Sequence, residues 1–154
     1  MMPQQRKELQ VAALCNGTVI DHIPSDQVYS VADLIRLERL DNPITIGCNL
    51  ESRKMGTKGI IKITDKFFEE EEIDKIALVA PNVVLNIIRD YQVVEKRRVT
   101  LPKVIKGIVK CNNPKCITNN EPMKTMFYVL NPDNIILNCH YCDIKIEQKD
   151  IILK

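Results

Sequence analysis

Cys111-Asn112-Asn113-Pro114-Lys115-Cys116 and, 22 residues further on, Cys139-His140-Tyr141-Cys142 organise the last third of this chain of 154 residues. A Cys-x4-Cys and a Cys-x2-Cys knuckle each present two thiolates to one side of a metal, and the segment between them suffices for a hairpin that carries the second pair opposite the first. Pro114 and its two neighbouring asparagines, like His140 and Tyr141, suit the tight turns such a site needs. The pattern predicts one structural Zn2+ held by Cys111, Cys116, Cys139 and Cys142. Two disulfides are the competing reading, but they need an oxidising compartment, and the N-terminus MMPQQRKELQV has no apolar export segment. A cytoplasmic protein is expected. Four thiolates leave no coordination position for water, so the metal is not expected to be catalytic. A redox role for Cys-x2-Cys is disfavoured too, since no helix N-terminus is evident to lower a thiol pKa.

The segment from about residue 104 has only about 50 residues, a length at which an apolar core alone is marginal and a metal commonly completes the fold. Residues 1–103 carry 15 Lys and Arg against 15 Asp and Glu, and residues 104–154 carry 7 against 5. Neither half shows the concentrated positive charge of a polyanion binder, which argues against nucleic acid as a partner. No apolar run reaches the roughly 20 residues of a membrane span.

Upstream, Leu9 to Cys15 is an apolar run with strand character, and Asn16-Gly17 turns into a first strand at Thr18-Val19-Ile20. Ser25 after Pro24 predicts an N-cap, and apolar residues at helical spacing run from Val28 to Leu40, before Asp41-Asn42-Pro43. Ile44 to Leu50 and Gly59 to Ile63 read as a strand pair. The acidic run Glu69 to Glu72 opens a second helix that closes before Pro81, and strands follow at Val83 to Ile88 and from Val93. The order βαββαβ predicts an α+β chain: a ferredoxin-like sandwich over residues 1–102, with both helices on one sheet face, then a small all-β zinc-binding domain over 103–154. The latter is expected to use short strands near 105–109, 126–130, 135–137 and 144–152.

Asp21 and His22 follow the first strand, and Lys58, Lys62 and Lys96 lie on segments this fold can bring near them. No nucleophile motif accompanies them, so catalysis is not expected. Two readings stay open on composition. The cations hold phosphates while the carboxylate accepts ribose hydroxyls, or all are solvated strand ends. Cys15 and Cys48 sit in apolar strands and read as small core residues. A zinc-ribbon nucleic-acid module is the alternative function that the four-cysteine pattern by itself permits.

Leu9-Gln10-Val11, Gly17-Thr18-Val19-Ile20-Asp21-His22-Ile23-Pro24, Ile44-Thr45-Ile46-Gly47 and Met55-Gly56, continuing through Ala80-Pro81, Asn86 and Tyr91 into the knuckles, closely resemble the regulatory chain of aspartate carbamoyltransferase. The resemblance implies a non-catalytic subunit in pyrimidine biosynthesis, with an N-terminal allosteric domain for CTP or ATP, and a zinc domain docked on the catalytic chain. It also implies regulatory dimers linking catalytic trimers in a dodecamer. Carried over by position, it puts the base near the backbone of Leu14 and Tyr91, with Val11, Ala13 and Val19 lining the pocket. The ribose would meet Asp21 and Lys62. The phosphates would meet His22 and Lys96, with Lys58, Asn86 and Val93 close by. Glu8 and Ala12 depart from the family pattern beside the site, where they bear on the relative effects of CTP, ATP and UTP. Asn113, Lys115, Ile117, Asn119, Asn120 and Glu121 are the expected contact with the catalytic chain.

Overall fold

The computed structural model describes residues 14–154. The Leu9 to Cys15 run therefore lies mostly outside the described residues. The chain divides into two compact units, one of residues up to 69 with 82–99, the other of residues 70–81 with 100–154.

The first unit is built on β1 (Gly17–Ile23), β2 (Ile44–Ser52), β3 (Gly56–Thr64), β4 (Val84–Arg89) and β5 (Gln92–Arg98). They form one antiparallel sheet in the order β2-β3-β1-β4-β5. The first four strands have the ferredoxin-like order, and β5 extends the edge through a two-residue turn. Asp90 and Tyr91 both take left-handed φ there (53° and 64°), as a twist-matched hairpin turn requires.

Alternation decides the two faces of the sheet. Ile20 lies opposite both Ile61 and Leu85, and these residues are buried, as are Thr18 and Ile63 beside them. Helix α1 (Val28–Leu34) packs on this face, where a side chain at Gly59 would collide with Cγ2 of Val28. The helix is shorter than its periodicity predicts. Arg36 takes a left-handed φ of 54° and breaks it, and a 3-10 turn spans Leu37–Arg39. Ser25 does not cap α1. It opens a 3-10 turn, and its hydroxyl meets Oγ1 of Thr57 at 3.2 Å.

The second unit holds helix α2 (Glu70–Val79), with its three N-terminal glutamates set against the positive end of the helix dipole. Strands β6 (Val104–Lys106), β8 (Met126–Asn131), β9 (Ile136–Cys139) and β10 (Lys145–Glu147) form a sheet in the order β10-β9-β8-β6. Strands β7 (Val109–Lys110) and β11 (Ile152–Leu153) pair separately. Leu78 of α2 is buried in one core with Ile105, Ile108, Val109, Phe127, Ile135, Leu137 and Ile146. The Gln148 amide donates to the Leu78 carbonyl at 3.0 Å. The sequence places α2 with the first sheet, while the compact second unit includes it and its Leu78 lies in that unit's core. Among the described residues, no helix is long and apolar enough to cross a membrane.

Candidate metal centre and anion-binding face

The four sulfurs of Cys111, Cys116, Cys139 and Cys142 lie within 4.8 Å of one another. Cys111 and Cys142 approach to 3.5 Å and Cys116 and Cys139 to 3.8 Å. Sulfurs placed tetrahedrally about 2.3 Å from a central ion are about 3.8 Å apart, so the cluster fits a four-thiolate metal site. Burial pushes the Cys111 and Cys139 thiols up. Ionising all four sulfurs at such separations requires a cation between them.

Local hydrogen bonds shape both knuckles. In the first, the Asn113 side chain accepts from the Lys115 N–H and the Cys116 N–H donates to the Asn113 carbonyl, each at 3.0 Å. Asn119 spends its amide on the carbonyls of Cys111 (2.9 Å) and Asn113 (2.7 Å). Asn120 likewise donates to Cys116 (2.8 Å) and Pro114 (3.1 Å). The Thr118 hydroxyl lies 3.1 Å from the Cys116 sulfur. In the second knuckle, Asp143 takes a φ of 63° and its N–H returns to the Cys139 carbonyl at 2.9 Å. Asn119 and Asn120, two of the three asparagines expected at a partner contact, thus brace the metal loop, a role spacing does not disclose. Cys15 and Cys48 are half-buried and belong to no metal cluster among the described residues. The second unit is accordingly built around a structural metal ion.

The face of the first sheet opposite α1 has a different character. Pairing aligns Thr45, Lys62, Val19, Asn86 and Lys96 in one row across all five strands. Beneath the polar groups, Leu14, Val19 and Ile60 form a small buried cluster flanked by Leu50 and Ile88. Beyond Ile20, β1 bulges, so that Asp21 and His22 oppose the single residue Ile60. His22 takes a φ of 59°, and its N–H donates to the Asp21 carboxylate at 2.6 Å. Lys58 pairs with the same carboxylate oxygen at 2.8 Å.

The His22 Nδ1 is buried and has no hydrogen-bond partner. Burial holds the imidazole below its ordinary pKa against the opposing pull of Asp21, and the charges of Lys58, Lys54 and Lys96 press it the same way as burial. Burial also lowers the pKa of Lys62. The imidazole is half-buried, its Nδ1 lies 3.6 Å from Asp21 Oδ1 without a hydrogen bond, and the lysines around it stand over an apolar floor, an arrangement suited to an anion. At the far end of β1, the Tyr91 N–H donates to the Cys15 carbonyl at 3.0 Å, joining the Leu14 segment to the β4–β5 turn. The side chains of Tyr91 and Val93 are exposed there. Val11 and Ala13 lie outside the described residues. Lys54 escaped sequence reasoning; only the β2–β3 turn brings it near His22.

Residues 9–100 match the family model for the aspartate carbamoyltransferase regulatory chain, allosteric domain, and residues 103–152 the model for its metal binding domain. The chain is 61% identical over 154 residues to an aspartate carbamoyltransferase regulatory chain of Parabacteroides distasonis, covering all of both chains. Identity to that of Bacteroides fragilis is 58% over 152 residues, 99% of each chain. Identity to that of Pyrococcus abyssi is 47% over 147 residues, 94% of this chain and 97% of the relative. These matches give no support to the nucleic-acid alternative. They run through both units and the four clustered cysteines, and the chain belongs to the family of aspartate carbamoyltransferase regulatory chains.

Proposed function

We propose that the first unit binds CTP and ATP on its cationic sheet face, and that the metal-bearing unit, loaded with Zn2+, docks on the catalytic chain. The observation that carries the nucleotide reading is the buried His22 Nδ1, which makes no hydrogen bond although Asp21 lies 3.6 Å away, among Lys54, Lys58 and Lys96. Phosphate oxygens supply a hydrogen-bond acceptor for this imidazole and negative charge beyond that of Asp21 for the lysines around it. The base packs over Leu14 and Val19 toward Tyr91, with Val11 and Ala13 completing its pocket. The ribose meets Asp21 and Lys62, and the phosphates meet His22 and Lys96 with Lys58, Asn86 and Val93 nearby.

Exposed apolar side chains of Ile117, Tyr141 and Ile152 on the metal-bearing unit suit a protein partner. Asn113, Lys115 and Glu121 give that contact its polar rim. The first unit pairs with a second copy, and paired chains link catalytic trimers into a dodecamer. The second unit works in the cytoplasm with the enzyme it regulates.

A nucleotide alters a distant active site only by binding two quaternary states with different affinity, and the coupling acts equally in reverse. We take CTP to favour the low-activity state and ATP the high-activity state, with UTP as a further effector. Typical couplings of about 1–3 kcal/mol shift affinity by roughly five- to 150-fold. The test is the aspartate saturation curve of the cognate catalytic trimer, alone and with the zinc-loaded chain, each with and without CTP. A sigmoidal curve that moves with CTP is expected. A curve that this chain leaves unchanged would overturn the proposal.

A further inference from the structure

We propose that Lys54, in the turn between β2 and β3, binds the terminal phosphate of the nucleotide, so that the site selects nucleoside triphosphates over mono- and diphosphates. This deepens the nucleotide reading above and rests on it.

The register supplies the geometry. Ser52 pairs with Gly56, leaving a turn of residues 53–55, whose Met55 N–H donates to the Ser52 hydroxyl at 3.2 Å. At the base of this hairpin Ile23 pairs with Gly59, and the Ser25 hydroxyl meets that of Thr57 at 3.2 Å. These contacts bind the hairpin to the segment just past His22. On β3, Lys62 and Lys58 share the outward face, Lys62 beside Val19 and Lys58 paired with Asp21, so the positive row runs along the strand toward the turn. An anion chain that starts beside Lys62 and passes His22 ends at this turn.

Charge accounting singles out the same residue. Lys58 is committed to Asp21 at 2.8 Å. Lys54 and Lys96 form no ion pair among the described residues. Of these two, Lys54 lies on the turn beyond the strand row, whereas Lys96 lies in the row with Val19 and Asn86. Each added phosphate brings further negative charge, and the last lies farthest from the sugar. Arg53 on the same turn also forms no ion pair among the described residues, but of the two it is Lys54 whose charge acts on His22, which makes Lys54 the cation left to meet it.

The test is equilibrium titration of the zinc-loaded full chain with CTP, CDP and CMP, for the parent, Lys54→Ala and, as a control on the same turn, Arg53→Ala. Loss of one charge-assisted contact at the surface weakens CTP by about three- to ten-fold. The expected pattern for Lys54→Ala is that loss for CTP, a smaller one for CDP and none for CMP, with Arg53→Ala near the parent throughout. Equal losses for all three nucleotides, no loss for any, or an equal effect from Arg53→Ala would overturn the assignment while leaving the nucleotide site standing. A parent chain that binds none of the three would remove the nucleotide reading and this inference with it.

Discussion

Replacing Leu78 by alanine is expected to loosen the metal site, although Leu78 precedes every cysteine ligand in the chain. Leu78 is 1% exposed and lies in the core that holds Ile105, Val109, Phe127 and Leu137 together with Cys111, Cys116 and Cys139. Leu→Ala changes at such positions cost about 2–5 kcal/mol, the upper part of the range where the surroundings cannot collapse into the cavity. Strand residues held in hydrogen-bonded ladders on several sides are surroundings of that kind. Stability of about 0.05–0.15 kcal/mol per residue gives a unit of this size roughly 3–10 kcal/mol in all. A loss of about 3 kcal/mol multiplies the opened population by roughly 150. Transfer of zinc from the loaded chain to a chromophoric chelator, followed in time, reads that population. Transfer from Leu78→Ala should be faster by on the order of 100-fold. Transfer at the parent rate, with an unchanged midpoint of denaturant unfolding, would refute the placement of Leu78 in the metal unit's core.

Gly17→Ala should destabilise the first unit by about 3 kcal/mol or more, since Gly17 has a φ of 145° and an added Cβ would run into the Ile63 carbonyl oxygen; a melting temperature within about 2 °C of the parent would contradict this. Cys111→Ser should leave the chain with less than one bound metal and no near-ultraviolet signature of a packed second unit, because structural zinc supplies about 10–16 kcal/mol to such folds. Stoichiometric metal in that variant would show that three thiolates suffice. His22 has its pKa lowered in the folded chain, so its contribution to stability is complete above about pH 6.5 and is lost as the pH falls through the folded value. A bound phosphate would raise that pKa, so CTP should bind with proton uptake and more tightly at pH 6 than at pH 8. An imidazole titration by NMR that CTP leaves unmoved would exclude the contact.

The knuckles were legible because metal ligation is written in short spacings, and the strands because alternation of apolar residues survives in sequence. Helix ends were less so. Arg36 stops α1 by taking a left-handed conformation with no glycine to announce it, and Ser25 turns its hydroxyl to Thr57 instead of capping. Asn119 and Asn120 read only as residues for a contact with the catalytic chain, and spacing did not disclose that all four of their amide donor bonds close on carbonyls of the metal loop.

By itself the sequence determined the two cysteine knuckles, the α+β order of elements and the family to which the chain belongs, all of which depend on residue type at near or periodic positions. Tertiary structure alone decided that Leu78 joins the metal-bearing core, that Val19, Lys62, Asn86 and Lys96 share one row, and that the charge of Lys54 acts on His22. These depend on strand register, a bulge and packing between distant segments. A shift of one residue in register would turn every one of those side chains to the other face, and no local pattern in the chain records which register wins.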